Sequence, residues 1–155
     1  MPVRLLRNQK GVVFSCHGRV TAQEMAEAKT ALMARPLTMK GCMYGIVDHT
    51  GAECVDYSTA DLQKLARLDH ALAPYTRDGI AVAIVAPRDL EYGLSRMWQA
   101  FVENNGWETM VFRSREKAEE WVREKVSQNF STDLDEFPED QGEDNSSASA
   151  ASSLQ

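Results

Sequence analysis

The stretch Ile80-Ala-Val-Ala-Ile-Val85 constrains the fold more than any other segment of this chain. It is apolar at every position and is closed by Pro87. A strand that is apolar on both alternating faces is stable only when both faces are covered, so a sheet between helical layers follows. That puts the chain in the α/β class, with parallel strands joined by crossover helices.

The rest of the periodicity agrees. Val3, Leu5 and Leu6, the turn-prone Asn8-Gln9-Lys10-Gly11 and the β-rich Val12 to Cys16 read as a hairpin closed by Gly18. Thr21 and Glu24 form a capping box, opening a helix with Met25, Ala28 and Leu32 inward. Pro36 bars its continuation. Met43 to Val47 is a short central strand ending at Asp48, and His49 to Tyr57 is an unusually long loop. Ser58 and Asp61 cap a second helix, with Leu62, Leu65, Ala66, Leu72 and Ala73 along one stripe. Leu90, Leu94, Met97, Trp98, Phe101 and Val102 mark a third. Met110 to Phe112 is the last strand, and Ser114 caps a final helix that buries Ala118, Trp121, Val122 and Val126. The predicted order is β-β-α-β-α-β-α-β-α, a mixed five-stranded sheet with helices packed on it, over residues 1–126.

Charge separates this body from the C-terminal end of the chain. Residues 127–155 carry seven of the 23 acidic residues and neither Lys nor Arg, so residues 1–126 hold 17 basic against 16 acidic groups. The Ser-rich acidic end has no apolar periodicity and is expected to be a disordered tail. A near-neutral body lacks the basic stripe that nucleic acid requires. No run of 18 apolar residues and no signal-like segment is present, so a cytoplasmic protein without a transmembrane segment is expected. Cys16, Cys42 and Cys54 lack metal-binding spacing and read as reduced, buried thiols.

Several segments resemble a known group. Gly18-Arg-Val-Thr21 leads into the first helix, Ile46-Val-Asp48 ends a strand, and Ala83-Ile-Val-Ala-Pro87 is followed by Tyr92-Gly93-Leu94-Ser95-Arg96-Met97. Val111-Phe-Arg113 with Glu116, Ala118 and Trp121 completes the set. Together they resemble the SpoIIAA-like, or STAS/SEC14-like, bacterial families of the STAS fold, over nearly all of residues 1–126. The resemblance implies a non-enzymatic interaction or regulatory module of the anti-sigma-antagonist kind that docks onto a protein partner. The SEC14 comparison implies the alternative, a carrier of a small apolar or lipid-like ligand between the sheet and the second and third helices. Antagonists of this fold carry Asp-Ser-Ser-Gly after the third strand, with the second serine phosphorylated. Asp48-His49-Thr50-Gly51 stands at the similar place, which makes Thr50 the phosphoacceptor by that resemblance. This chain departs by having His49 for the first serine and by delaying its helix to Ser58.

The residues themselves leave alternatives open. Asp48 and Thr50 equally suit a turn that satisfies local amides. Asp48, His49, Cys54 and Asp56 are close in sequence, but no spacing specifies a nucleophile with its base or a metal site, so no catalytic, cofactor-binding or metal residue is assigned. Tyr92 and Arg96 stand one helical turn apart, either as an interaction site or as plain surface packing. Gly93 between them suggests close contact of that helix with the sheet. The expected interaction residues are therefore Asp48, His49, Tyr92 and Arg96.

Overall fold

The computed structural model describes residues 2–140. Strands β1 (Val3–Arg7), β2 (Gly11–Thr21), β3 (Tyr44–Asp56), β4 (Ala81–Val85) and β5 (Glu108–Phe112) form one sheet in the order β1-β2-β3-β4-β5. The hairpin pair β1 and β2 is antiparallel, and every later neighbour is parallel. Helices α1 (Ala22–Met33), α2 (Pro36–Gly41), α3 (Thr59–Leu72), α4 (Asp89–Phe101) and α5 (Arg115–Phe130) complete the predicted order with one addition, the short α2. Pro36 opens that helix because proline lacks the amide hydrogen a first turn leaves unused.

Local chemistry fixes the helix starts. The hydroxyl of Thr21 accepts from the Glu24 amide while Glu24 accepts from the Thr21 amide, and Ser58 with Asp61 repeats the exchange. Each such cap is worth about 1 kcal/mol.

The sheet is covered on both faces. Phe14, Val47, Val82 and Ile84 meet Met25, Leu32, Leu62, Leu65 and Trp98 of α1, α3 and α4. On the other face, Val13, Ile46, Ala83 and Val85 meet Ala118, Val122 and Val126 of α5. The strand Ala81–Val85 is buried at all five positions, which is why it reads as continuously apolar.

Two boundaries differ from the sequence reading. Residues 49–56 are strand, because β2 and β3 stay paired in parallel as far as Thr21 and Asp56. Bulges interrupt the register after Ser15 and again after Gly18, and they break the two-residue alternation by which a strand is recognised. Gly18 supplies the left-handed φ of +61° within this stretch. A Cβ on Gly51 would lie 2.9 Å from the Cys16 carbonyl oxygen, so the close approach of β2 and β3 there requires glycine.

The second difference is at the C-terminus. Helix α5 runs to Phe130, and residues 131–140 form a strap that buries Leu134 and Phe137 against the α5 side of the core. Phe137 stacks edge-on against Tyr44, and Asp140 bonds Arg4 and His17. The packed body therefore extends to residue 140 rather than 126, and the expected tail is shortened to residues 141–155, which lie outside the described residues. Two apolar anchors within an acidic run are too sparse to show as periodicity. Among the described residues, no helix is long and apolar enough to cross a membrane.

Candidate functional site

Helix α4 keeps Trp98 and Val102 in the core but leaves two residues of its apolar stripe outside. Leu90 and Met97, predicted to face the core, are 67% and 37% exposed, whereas Glu91 is 2% exposed and Ser95 is buried. Buried polar groups in place of available leucine and methionine carry a cost that a packed core alone does not require. Both inward polar residues line a pocket between the sheet and helices α1, α3 and α4.

The walls of this pocket are mainly apolar, from Met25, Val55, Leu62, Leu65, Ile84 and Leu94. Its enclosed cavity measures about 40 Å³, room for a few waters and short of the roughly 300–1,000 Å³ of small-molecule sites, so a larger ligand enters only as the walls part. It sits where the carrier alternative expects it.

Each charge in the wall has its own counter-charge. Lys29 Nζ donates to Asp69 Oδ1 at 2.8 Å, and Trp98 Nε1 donates to Asp69 Oδ2 at 2.7 Å. One buried carboxylate thus ties α1, α3 and α4 together. Lys29, Val47 and Trp98 also stand in the wall of a second apolar cavity reaching towards Met39 and Trp107. Glu91 receives both Nε and Nη2 of Arg88, at 2.7 and 2.6 Å. The same guanidinium donates to the carbonyls of Ala52 and Glu53, tying the bulged part of β3 to the start of α4.

Two polar atoms in the wall remain without a hydrogen-bond partner among the described residues. These are His49 Nε2 and the Tyr57 hydroxyl, both buried. The other nitrogen of His49, Nδ1, lies 3.1 Å from the Val85 carbonyl oxygen. Burial lowers the His49 pKa, only partly opposed by that hydrogen bond, and burial raises the pKa of Tyr57. Both groups are neutral at pH 7.

The residues expected to interact separate. Asp48 and His49 project to opposite faces, as neighbours on a strand must. Asp48 accepts from Arg115 of α5 at 3.0 Å, while His49 enters the pocket. Cys54 is exposed, contrary to the expectation of a buried thiol, so Asp48, His49 and Cys54 share no cleft. Thr50 is exposed within β3, and its amide and hydroxyl both donate to Asp48 Oδ1, the local satisfaction expected of a turn. Tyr92 is half-buried beneath the Arg113 guanidinium at 4.2 Å, and Arg96 is exposed with no ion pair among the described residues. Gly93 faces open space, so no close contact accounts for it.

Ser15, His17 and Asp140 also meet, yet both oxygens approach the same imidazole nitrogen, Nε2, at 3.0 and 2.5 Å. A hydrolytic relay needs the serine and the carboxylate on different ring nitrogens. The arrangement instead pins the strap to β2. No group of three or more His, Cys, Asp and Glu among the described residues is placed to hold a metal ion.

Lys29, Asp69, Glu91 and Ser95 were not among the expected residues, although a signal existed for the first two. Lys29 falls four residues after Met25 and three before Leu32, and Asp69 falls four after Leu65 and three before Leu72. Opposite charges on the apolar stripes of two helices point to a buried pair.

No protein-family model matches the chain, and no curated protein matches it. Among solved structures, an uncharacterised protein of the DUF3478 family from Shewanella loihica PV-4, described as having a SpoIIAA-like fold, is similar with a TM-score of 0.50. The two share 19% sequence identity, over 77% of this chain and 91% of that one. The anti-sigma factor antagonist SpoIIAA in its unphosphorylated form is similar with a TM-score of 0.45 and 15% identity, over 78% of this chain and 97% of that one. The sheet order, the helices on both faces and the first of these likenesses give the chain a SpoIIAA-like fold of the STAS type.

Proposed function

We propose that this protein is a non-enzymatic binding module whose pocket, between the sheet and helices α3 and α4, takes a small and largely apolar molecule. One observation carries the reading: α4 turns Glu91 and Ser95 inward and leaves Leu90 and Met97 outside, beside a wall that holds an unpartnered His49 nitrogen. Desolvated polar atoms in an otherwise apolar site fix the orientation of a ligand. Native mass spectrometry of the chain, purified gently from its own cells, tests it. A stoichiometric adduct of one small apolar molecule is expected. A bare chain that also takes up no apolar compound on addition contradicts it.

A protein-docking module is the second reading, favoured by the exposed Leu90 and Met97 on α4. Large exposed apolar groups on one helix mark an association surface. The long loop expected from His49 to Tyr57 is strand as far as Asp56, which leaves the α4 surface as the exposed apolar candidate. The same spectra test it: a stoichiometric protein partner lost on Met97→Glu, with any small-molecule adduct retained, supports docking at α4. A partner retained by Met97→Glu contradicts it.

A further inference from the structure

The pocket carries information about the head group of its ligand, and the deduction rests on the ligand-binding reading above. A carbonyl oxygen only accepts hydrogen bonds, so the 3.1 Å contact with Val85 places the ring proton of His49 on Nδ1. Burial keeps the ring neutral. Nε2 therefore presents a lone pair to the pocket, from a side chain that is 5% exposed and has no partner for that atom among the described residues.

A ligand group that meets this nitrogen must bring an O–H or N–H. A carboxylate or phosphate brings only acceptors, and would set lone pair against lone pair beside the buried Glu91. A cationic head fares no better, because Lys29 stands in the same wall and Glu91 is already bonded through both oxygens to Arg88. With Lys29 matched by Asp69 and Glu91 by Arg88, the wall offers no unmatched charge. The Tyr57 hydroxyl both donates and accepts, so it accommodates a hydroxyl equally well. We infer that the pocket selects a neutral apolar molecule that carries an O–H or N–H donor, such as an alkyl alcohol rather than a fatty acid, and donates it to His49 Nε2.

Three probes of equal chain length separate the possibilities: octan-1-ol, sodium octanoate and 1-methoxyoctane, titrated by calorimetry at pH 7.5 into the full chain and into His49→Leu. The alcohol is expected to bind at least about ten-fold more tightly than either of the others, the penalty for leaving a buried acceptor unmet. In His49→Leu that preference is expected to fall to within about three-fold. The wild-type ranking decides alone if the variant does not fold. Octanoate or the ether binding as tightly as the alcohol overturns the head-group assignment and leaves the pocket standing. Failure of all three to bind overturns the pocket reading and this inference with it.

Discussion

Lys29 Nζ lies 2.8 Å from Asp69 Oδ1 in the interior of the helical layer, and Asp69 is wholly buried. Removing one member strands the other charge in a low-dielectric site, which costs about 3–5 kcal/mol. Lys29→Met is therefore expected to lose stability of that order in urea denaturation. The double variant Lys29→Met, Asp69→Leu is expected to lose less than the sum of the single changes. Additive losses would show that the two side chains are not coupled.

Gly93 occupies the interior of α4 with nothing within 4 Å of a Cβ built on it. No packing reason remains for glycine there. Gly93→Ala is expected to raise stability by about 1 kcal/mol, read as a higher denaturation midpoint at unchanged slope. A lower midpoint would show that the position is sterically restricted.

Phe137 anchors the strap, edge-on to Tyr44 at 5.1 Å and beneath the Arg123 guanidinium at 5.0 Å. Truncating a buried phenylalanine costs about 3–5 kcal/mol, and Phe137→Ala is expected near the lower end because the strap has solvent on one side. A chain ending at residue 126 is expected to melt at a lower temperature than one ending at residue 140. Equal melting temperatures would return the domain boundary to the end of the apolar periodicity.

His49 gives stability a pH dependence of defined sign. Its pKa in the folded chain lies below the ordinary 6.5 because burial penalises the imidazolium, with Glu91 and Asp48 opposing the shift and Arg88 adding to it. Above pH 6.5 the ring is neutral in both states and its contribution to stability is fully present. As pH falls below 6.5 the unfolded chain takes up the proton first, so stability declines until the folded pKa is passed. The stability difference between pH 7.5 and pH 5 is expected to be smaller in His49→Gln than in the wild type. An unchanged difference would place His49 in contact with solvent.

How far the sequence carried the fold depends on which residues obey simple periodicities. Ile80 to Val85 and the two capping boxes are local and strong, and each appears where expected. The second half of β3 is hidden because the strand buries residues 44–49, then 52, then 55, a spacing with no two-residue period. The face of α4 follows the expected stripe only in part: Trp98 and Val102 are buried and Leu94 packs beside them, but Leu90 and Met97 lie outside. Tertiary packing buries Glu91 and Ser95 in their place. The candidate site was correspondingly half legible: His49 was singled out for its sequence neighbours, while the pocket it enters depends on that packing.

The most direct test of the pocket is methyl NMR of the full chain during titration with octan-1-ol. Leu62, Leu65, Ile84 and Leu94 line the site, whereas Ile46, Val122 and Val126 pack on the opposite face of the sheet. Saturable shifts at the first group with the second unmoved are the expected result. Shifts confined to the surface around Leu90 and Met97, or none at all, would contradict a binding site between the sheet and its helices.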